Sequence, residues 1–449
     1  MVSWKKGLLA VGILILILAL ISGCDDPDEK EVEEEVEDVE EEKEVVIGFS
    51  GPLSGPAAEY GEDNRDGMDM AINDINEAGG INVDGINYTL RLESLDDQAD
   101  PTQAVTNAER LKDSYNVPAV YNPVATAITP TLGINEEEGH EFIMMAYTST
   151  PLELEIDNDL VMYIPPSFTS WVQHLSTWAW EEGWRDAAML VTAGAYGDGW
   201  REAFELFWED ELGGNVVADH PANYYEQTDF STEVTSIMDA GADVILIGGP
   251  SAPTGLAVEQ AREMGYEGGF IMIDQAKVNY LEEVLDGLDL LDGMICLGPP
   301  AQAHTPSAVE FDERLAAEYQ PTAVTFEHSN AYAATILLAK AMEEAGSVED
   351  PYAIREAIPD TLPLLDGDVD YPLVLEYYGI HDTGRLLYPI NNVMVRDGEY
   401  DEMQSIVWAA ESQEEFEEIV SMLTIDPERG EDYFNYLWYE EYGIFEPYD

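Results

Sequence analysis

Short apolar runs alternate along this chain with longer stretches in which apolar residues recur every three or four positions. The first run, residues 45–49, is short and β-branched, as a buried strand requires. After an uncharged loop rich in turn formers, the apolar residues of 68–75 follow helical spacing, and Gly79-Gly80 ends the predicted helix. Strand, loop and helix form the first half of a βαβ unit, whose loop lies where open α/β sheets bind ligands.

The same alternation continues and predicts parallel sheets covered by helices on both faces. Further strands are predicted at 88–92, 118–121, 142–146, 161–164, 187–191, 243–247, 270–273 and 294–297. Further helices are predicted at 101–111, 200–212, 254–264, 280–288, 307–319, 328–345 and 351–358. Because 449 residues exceed one typical core, we expect an α/β fold with two doubly wound, Rossmann-like lobes. We place two crossings between the lobes at the proline pairs 165–166 and 299–300.

The charge balance is strongly acidic, with 93 Asp and Glu residues against 18 Lys and Arg residues and a net charge of −75. This balance excludes nucleic acid as a partner, because phosphates require a basic surface. Repulsion within such a surface is screened over about 10 Å at 0.1 M salt and about 3 Å at 1 M. The charge therefore predicts a halophilic protein exposed to a saline exterior, or else a plainly acidic one with no requirement for salt.

The amino terminus has the pattern of an export signal. Lys5-Lys6 precede an apolar run over 8–21, and Ser22-Gly23 stand before Cys24. The pattern resembles a lipoprotein signal, which implies cleavage after residue 23 and lipidation of Cys24; an uncleaved membrane anchor is the alternative. Residues 24–44 are almost wholly acidic and predict an extended tether between the lipid and the globular part. Both alternatives place the globular part outside the cytoplasmic membrane.

The sequence lacks the residue patterns of common catalytic and metal sites. Its six histidines are scattered without the HExxH spacing, and neither GxSxG nor a phosphate-binding glycine motif is present. Cys296 lies in an apolar run and is expected to be a buried, unreactive thiol, so no disulfide framework is available. We therefore predict no catalytic residue, no metal, no cofactor and no enzymatic activity.

A spaced set of residues around the first loop closely resembles one known family. The shared residues are Pro52-Leu53-Ser54-Gly55-Pro56, Tyr60-Gly61, Gly67, Ala71, Asp74-Ile75-Asn76 and Gly79-Gly80-Ile81. They resemble the opening of the branched-chain amino-acid type of solute-binding protein, within the type I periplasmic-binding-protein family of ABC importers. Residues 96–111 resemble the second block of that family, and the likeness extends over about 45–400. A nucleotide-binding α/β domain with a similar turn is the alternative.

The resemblance implies two lobes joined by a three-strand hinge, with a third crossing within residues 384–400. Lobe I would comprise 45–165 and 299–388, and lobe II would comprise 166–298 and 389–449, including a carboxyl-terminal extension without a counterpart. The implied function is capture of a small polar solute of amino-acid type between the lobes and its delivery to an ABC permease in the membrane. A ligand-sensing receptor of the same architecture, coupled to a signalling partner, is the alternative.

The family's ligand contacts in the first lobe transfer to four places in this chain. Tyr60 matches an aromatic residue that flanks the ligand. A carboxylate-binding serine of the family falls at Ala125, or at Thr126 if the alignment slips by one position. Ser149 would supply a hydroxyl to the ligand carboxylate and Thr148 a main-chain group.

The contacts in the second lobe transfer less completely. Tyr196 matches a tyrosine that faces the cleft, whereas Ser251 stands where relatives often carry an aromatic residue. Either Asp274 or Gln275 would meet the ligand ammonium, and the choice decides between a charged and an amide partner. Trp171 would either cover the ligand or belong to the core.

Overall fold

The computed structural model describes residues 43–55, 57–410, 412–427 and 434–436. The predicted signal peptide, Cys24, the tether up to residue 42, Pro56 and most of the chain after 427 lie outside the described residues. Two large sheets dominate the described part. We call the six-stranded sheet and the helices packed on it the first half, and the eight-stranded sheet with its helices the second half. The α/β prediction with two parallel-sheet lobes is confirmed.

The first half contains a six-stranded sheet of order β2-β3-β1-β4-β5-β6. Its strands are β1 (Lys43–Gly51), β2 (Ile81–Val83), β3 (Ile86–Asp96), β4 (Ala119–Asn122), β5 (Ile143–Ala146) and β6 (Val161–Tyr163). The helices that pack on it are α1 (Ala58–Glu77), α2 (Pro101–Tyr115), α3 (Ala125–Thr131), α9 (Ala308–Tyr319), α10 (Phe326–Ala345) and α11 (Pro351–Ala357). The central strand β1 pairs in parallel with both β3 and β4.

The second half contains an eight-stranded sheet of order β16-β15-β14-β11-β10-β9-β7-β8. Its strands are β7 (Asp186–Val191), β8 (Asn215–Asp219), β9 (Val244–Gly248), β10 (Gly269–Met272), β11 (Met294–Leu297), β14 (Ile390–Arg396), β15 (Glu399–Val407) and β16 (Phe434–Tyr436). The remaining helices are α4 (Phe168–Glu181), α5 (Ala195–Leu206), α6 (Ser231–Ala240), α7 (Ser251–Glu263), α8 (Val278–Val284) and α12 (Gln413–Met422). A small separate ribbon pairs β12 (Gly379–Ile380) with β13 (Leu386–Leu387).

Alternation along the strands explains why helices cover both faces of each sheet. On β1, Ile47 and Phe49 point into one core while Val46 packs against the other. On β7, Met189 belongs to one core and Leu190 to the opposite one. Each sheet is therefore buried on both faces, as the apolar runs predict.

Three local features of the fold depend on single residues, and two of them, the start of α2 and the burial of Cys296, were predicted. Asp100 caps α2, because its carboxylate accepts hydrogen bonds from the backbone N–H groups of Thr102 and Gln103, each at 2.9 Å. Gly67 lets α1 approach α10 closely, since a Cβ at this position would lie 2.3 Å from the carbonyl oxygen of His328. Burial raises the pKa of the Cys296 thiol, which is fully buried as expected.

Some boundaries differ from the sequence-based prediction. β1 begins at Lys43, so the last two residues of the predicted tether belong to the strand. The helix predicted from residue 200 begins at Ala195, because the polar and glycine-rich turn before Trp200 already has helical geometry. β8 and α6 were not predicted, because their apolar residues are few and form only a weak pattern. In the structure both elements are only partly buried.

The chain passes between the two halves three times, after β6, after β11 and before β14. The lobe limits in the sequence analysis stay a prediction at the level of single residues. After β15 the chain contacts the first half again, because the backbone N–H of Thr424 donates to Glu376 at 2.8 Å and that of Asp426 donates to the carbonyl of His304 at 2.8 Å. The described part of the extension therefore contacts both halves, whereas the sequence analysis placed the extension with the second lobe.

Candidate functional site

A cavity of about 320 Å³ lies where the carboxyl ends of strands from both sheets face each other. Its walls are formed by α1, by α10 and by the loops after β4, β5, β7, β9 and β10. All ten residues singled out in the sequence line it: Tyr60, Ala125, Thr126, Thr148, Ser149, Trp171, Tyr196, Ser251, Asp274 and Gln275. Their role in binding stays a prediction, but the fold brings them together.

The carboxylate of Asp274 accepts three hydrogen bonds in the wall. Its Oδ1 accepts hydrogen bonds from the hydroxyl of Tyr196 and from the indole Nε1 of Trp200, the latter at 3.0 Å. Its Oδ2 accepts one from the hydroxyl of Ser149 at 2.6 Å. A carboxylate offers about four lone-pair sites, so these three donors leave one site on Oδ2. Burial raises the pKa of Asp274, and the hydrogen bonds from Ser149 and Tyr196 oppose that shift.

The bond between Ser149 and Asp274 joins the two halves of the molecule. Ser149 follows β5 of the first sheet, and Asp274 follows β10 of the second sheet. The hydroxyl of Ser149 also lies 3.4 Å from that of Tyr196, which begins α5 in the second half. The halves therefore already touch at the site where the sequence predicts a ligand.

The other residues of the first half that are predicted to contact the ligand differ in whether their polar groups already have hydrogen-bond partners. The N–H of Thr148 donates to the carbonyl of Ala146 at 3.2 Å, and its hydroxyl accepts from the N–H of Thr150 at 3.1 Å. These two groups of Thr148 are thus used within its own turn. Ala125 and Thr126 both line the cavity at the start of α3, so the two alignments of the family serine stay open.

Aromatic side chains form much of the apolar wall. Tyr60 packs on Tyr147 with ring centroids 6.0 Å apart, and Phe168 meets the edge of Tyr196 at 6.3 Å. Trp171 is buried in the core of the second half and lines the cavity as well, and its role in covering a ligand stays a prediction. No aromatic residue stands at Ser251, whose hydroxyl accepts from the N–H of Lys277 at 3.2 Å.

Gln275 is held by a tyrosine that sequence analysis did not single out. Its Nε2 donates to the hydroxyl of Tyr225 at 3.1 Å, and both residues line the cavity. Asp274 and Gln275 thus both border the cavity, and each keeps an acceptor: one lone-pair site on the Asp274 carboxylate, and Oε1 of Gln275, which lacks a partner among the described residues.

The sequence analysis missed a buried ion pair in the wall. The Nζ of Lys277 lies 2.8 Å from Oε1 of Glu327, and the two side chains are only 7% and 2% exposed. Lys277 follows β10 and Glu327 lies in α10, so this pair also joins the two halves. The rarity of lysine in this acidic chain was the one available signal, but nothing in the sequence paired Lys277 with a residue 50 positions away.

Further carboxylates of the wall surround this pair. Partial burial and the neighbouring Glu327 carboxylate raise the pKa of Glu59 to about 7, although Glu59 remains partly exposed to solvent. Burial and the same Glu327 carboxylate raise the pKa of Asp63 well above its usual range. This side of the cavity therefore attracts positive charge and hydrogen-bond donors.

The arrangement can enclose a small molecule between the two halves. A hinged pair of α/β halves with polar groups on both faces of a cleft defines a solute-binding protein. Among the described residues, no cluster of three or more potential metal-binding side chains occurs, and no helix is long and apolar enough to span a membrane.

Sequence comparison identifies the family. Residues 44–373 match the profile of the family described as periplasmic binding protein, and the chain belongs to that family. Its members bind solutes and are not enzymes. A leucine-, isoleucine-, valine-, threonine- and alanine-binding protein of Pseudomonas aeruginosa is 26% identical over 319 residues, which cover 70% of this chain and 82% of that relative. A Leu/Ile/Val-binding protein of Rhizobium johnstonii is 27% identical over 347 residues, covering 73% and 87%.

Solved structures share the fold at lower identity. One is the branched-chain amino acid transporter substrate-binding protein LivJ from Streptococcus pneumoniae, in complex with isoleucine. Its TM-score is 0.66 at 18% identity, and the match covers 81% of this chain and 100% of that chain. A solute-binding protein of an ABC transporter from R. palustris, in complex with 4-hydroxybenzoate, has a TM-score of 0.65 at 18% identity, with 80% of this chain and 97% of that chain covered. Neighbours of one fold thus hold different solutes, and the solute must be argued from this chain's own site.

Proposed function

We propose that this protein is an extracytoplasmic lipoprotein that captures a small polar solute, an amino acid, in the cavity between its halves and delivers it to an ABC importer. The observation that carries this proposal is the position of Asp274, which lies between Tyr196 of its own half and Ser149 of the opposite half. An ammonium group bound at the remaining site of Asp274 would contact both halves at once. The solute would thereby stabilise the closed state that a permease recognises.

The size of the cavity supports a small solute. A volume of about 320 Å³ lies at the lower end of the range for ligand pockets, about 300–1,000 Å³. The wall combines aromatic surface with few polar groups, as such pockets usually do. The names of the amino-acid-binding relatives agree with this class of ligand.

Thermal unfolding with a panel of amino acids, in buffer with and without molar NaCl, tests the proposal. A ligand at a hundredfold excess over Kd stabilises its protein by about 2.7 kcal/mol. The Tyr196→Phe variant loses a hydroxyl that donates to Asp274, and a tenfold weaker Kd would reduce this stabilisation to about 1.4 kcal/mol.

Tyr266→Phe is the matched control, because its buried hydroxyl donates to the carbonyl of Gly269 at 3.1 Å and the residue does not line the cavity. We expect this variant to keep the full ligand-dependent stabilisation. Equal losses in both variants, or no stabilisation of the unaltered protein by any amino acid, would contradict the proposed site.

The membrane anchor is the second part of the proposal. Lipid on Cys24 and the acidic tether would hold the binding halves near the permease at the outer face of the membrane. Mass spectrometry of the protein from its own membrane should show an amino terminus at Cys24 with diacylglycerol attached. A mature chain that retains residues 1–23 would instead support an uncleaved anchor.

A further inference from the structure

Polar atoms of the cavity wall lack partners among the described residues. They are the indole Nε1 of Trp171, Oγ1 of Thr192, Oε1 of Gln275, Oε2 of Glu327 and Oδ1 of Asn330. Buried polar groups in folded proteins are almost always hydrogen-bonded, and each exception needs an explanation. Because all five residues line one cavity, a bound solute is the simplest partner for them.

Two of these atoms lie on one face of α10. Glu327 and Asn330 are three residues apart, which places their side chains next to each other on the helix. Glu327 binds Lys277 through Oε1 only, and its Oε2 is without a partner in the described part of the chain. Nδ2 of Asn330 donates to the carbonyl oxygen of Phe326 at 2.9 Å. That bond fixes Oδ1 of Asn330 as the remaining acceptor.

Acceptors outnumber donors in this set. Nε2 of Gln275 donates to Tyr225, so Oε1 of Gln275 is a third acceptor. Against these three acceptors stand one indole N–H, on Trp171, and one hydroxyl, on Thr192. A purely aliphatic side chain in the cavity would leave the acceptors without partners, and a site of this kind discriminates strongly against a solute that lacks the matching donor.

We propose that the solute carries a second nitrogen-borne hydrogen-bond donor, an ammonium or an amide, which binds Oε2 of Glu327 and Oδ1 of Asn330. This inference rests on the proposed function, since it places the ammonium of an amino acid at Asp274 and the second donor on α10. It distinguishes this protein from one that selects leucine, isoleucine or valine.

The charged groups around the proposed contact would respond differently to a cationic donor and to a neutral amide donor. The charged and titratable groups that face Glu59 are Glu327, Lys277, Glu62, Asp63 and Tyr280. A cationic donor would be attracted by these carboxylates and repelled by Lys277 alone, and it would lower the pKa of Glu59 from about 7. A neutral amide would leave the protonation of Glu59 nearly unchanged.

Isothermal titration of the full protein with four ligands tests the proposal without any mutation. The side chain of lysine supplies a cationic donor and that of glutamine a neutral amide donor. The side chain of norleucine has no donor, and that of glutamate has only acceptors. We expect lysine or glutamine to bind at least tenfold more tightly than norleucine and glutamate. Equal or tighter binding of norleucine would overturn the inference and leave the proposed function intact, whereas no binding of any amino acid would remove the proposed function itself.

Titrations at two pH values distinguish a cationic donor from a neutral amide donor. If the donor is cationic, it is attracted more strongly when Glu59 is ionised, so affinity for lysine should fall severalfold from pH 8 to pH 6 as Glu59, whose pKa is about 7, takes up its proton. Affinity for glutamine should change little over the same range. Partial exposure of Glu59 keeps this effect below the full tenfold of a fully coupled proton.

The variant Glu327→Gln assigns the contact. With Lys277 on its carbonyl oxygen, the new amide would present N–H groups to the ligand donor, so we expect at least a tenfold loss for lysine or glutamine and no loss for norleucine. Glu376→Gln is the matched control, because Glu376 is equally buried beside His304, at 3.3 Å, and does not line the cavity. An unchanged ligand preference in a folded Glu327→Gln protein would also overturn the inference. If that variant does not fold, the four-ligand comparison in the unaltered protein still decides.

Discussion

At the scale of single residues, the site is defined by which polar groups are already satisfied. Asp274 retains one of its lone-pair sites, whereas Thr148 uses its N–H and its hydroxyl within its own turn. The hydroxyl of Ser149 donates to Asp274, so a ligand carboxylate at Ser149 would have to displace this bond. The binding free energy therefore depends on how much stronger the ligand's hydrogen bonds are than the contacts between the two halves that they replace.

Buried histidines make the stability of the protein sensitive to acid. Burial lowers the pKa of His174 to about 4, while Asn392 donates to its Nδ1 at 2.9 Å and its Nε2 lies 3.1 Å from Oε1 of Gln404. The unfolded chain has a histidine pKa of about 6.5, so below that pH it takes up a proton that the folded chain excludes. Stability is lost as the pH falls from about 6.5 towards 4.

We expect His174→Gln to reduce this acid sensitivity. At pH 5 the excluded proton costs about 2 kcal/mol, so the loss of unfolding free energy between pH 7 and pH 5 should be smaller by about that amount in the variant. Denaturant unfolding at the two pH values measures it. His140→Gln is the control, because the side chain of His140 is exposed and meets water in both states. The same pH dependence in all three proteins would show that His174 does not contribute.

At the scale of elements, the cavity depends on loops that are fixed by close backbone contacts. The loop after β7 leads into α5 and carries Tyr196. A Cβ on Gly197 would lie 1.7 Å from the carbonyl oxygen of Thr192, so only glycine allows the helix to begin there. The glycine thus sets the position of the neighbouring tyrosine.

We expect Gly197→Ala to destabilise the protein by about 1–3 kcal/mol and to weaken solute binding, because the backbone must shift to relieve the overlap. Gly255→Ala is the matched control in another helix, α7, where the added Cβ would meet side chains at 3.5 Å or more. That change should raise stability by about 0.5–1 kcal/mol through helix propensity. Thermal unfolding and a ligand titration of both variants would reveal whether Gly197 is needed, and an unaffected Gly197→Ala protein would show that it is not.

α10 links the core to the cavity. Its apolar side chains fill the core of the first half, while Glu327 and Asn330 in its first turns reach the cavity wall. The helix is buried along most of its length, so the carboxylate of Glu327 and the amide of Asn330 are buried as well. Polar residues at such positions are costly without partners, which is why they indicate a binding role.

At the scale of the whole molecule, the charge of −75 opposes compaction. With 18 Lys and Arg residues for 93 Asp and Glu residues, most carboxylates cannot have a basic partner of their own. Salt screens this repulsion, and the screening length falls from about 10 Å at 0.1 M to about 3 Å at 1 M. Folding should therefore depend on salt more than it does in a neutral protein.

We expect the thermal midpoint to rise as NaCl increases from 0.1 M to 2 M. Sucrose at equal osmolality is the control, because it favours the folded state by exclusion from the surface without screening charge. A midpoint that stays constant in NaCl, or rises equally in sucrose, would contradict a salt requirement based on charge.

Local patterning was sufficient to predict the order of most strands and helices. Buried parallel strands appear as short apolar runs, and the helices between them have one apolar face, so residues 45–49 and 68–75 could be interpreted without tertiary information. The family resemblance also selected ten residues that the fold brings to one cavity. Elements with weaker apolar patterns, such as β8 and α6, gave no such signal.

The sequence by itself determined the α/β class, the alternation of its elements and the acidic character of the surface, because each follows from composition or from spacing along the chain. Only the tertiary structure decided which polar groups meet across the cavity. Lys277 and Glu327 are 50 residues apart, and Ser149 and Asp274 are 125 apart. Such contacts depend on the packing of two separate sheets, which local spacing does not specify, and they determine which atoms remain free to bind a solute.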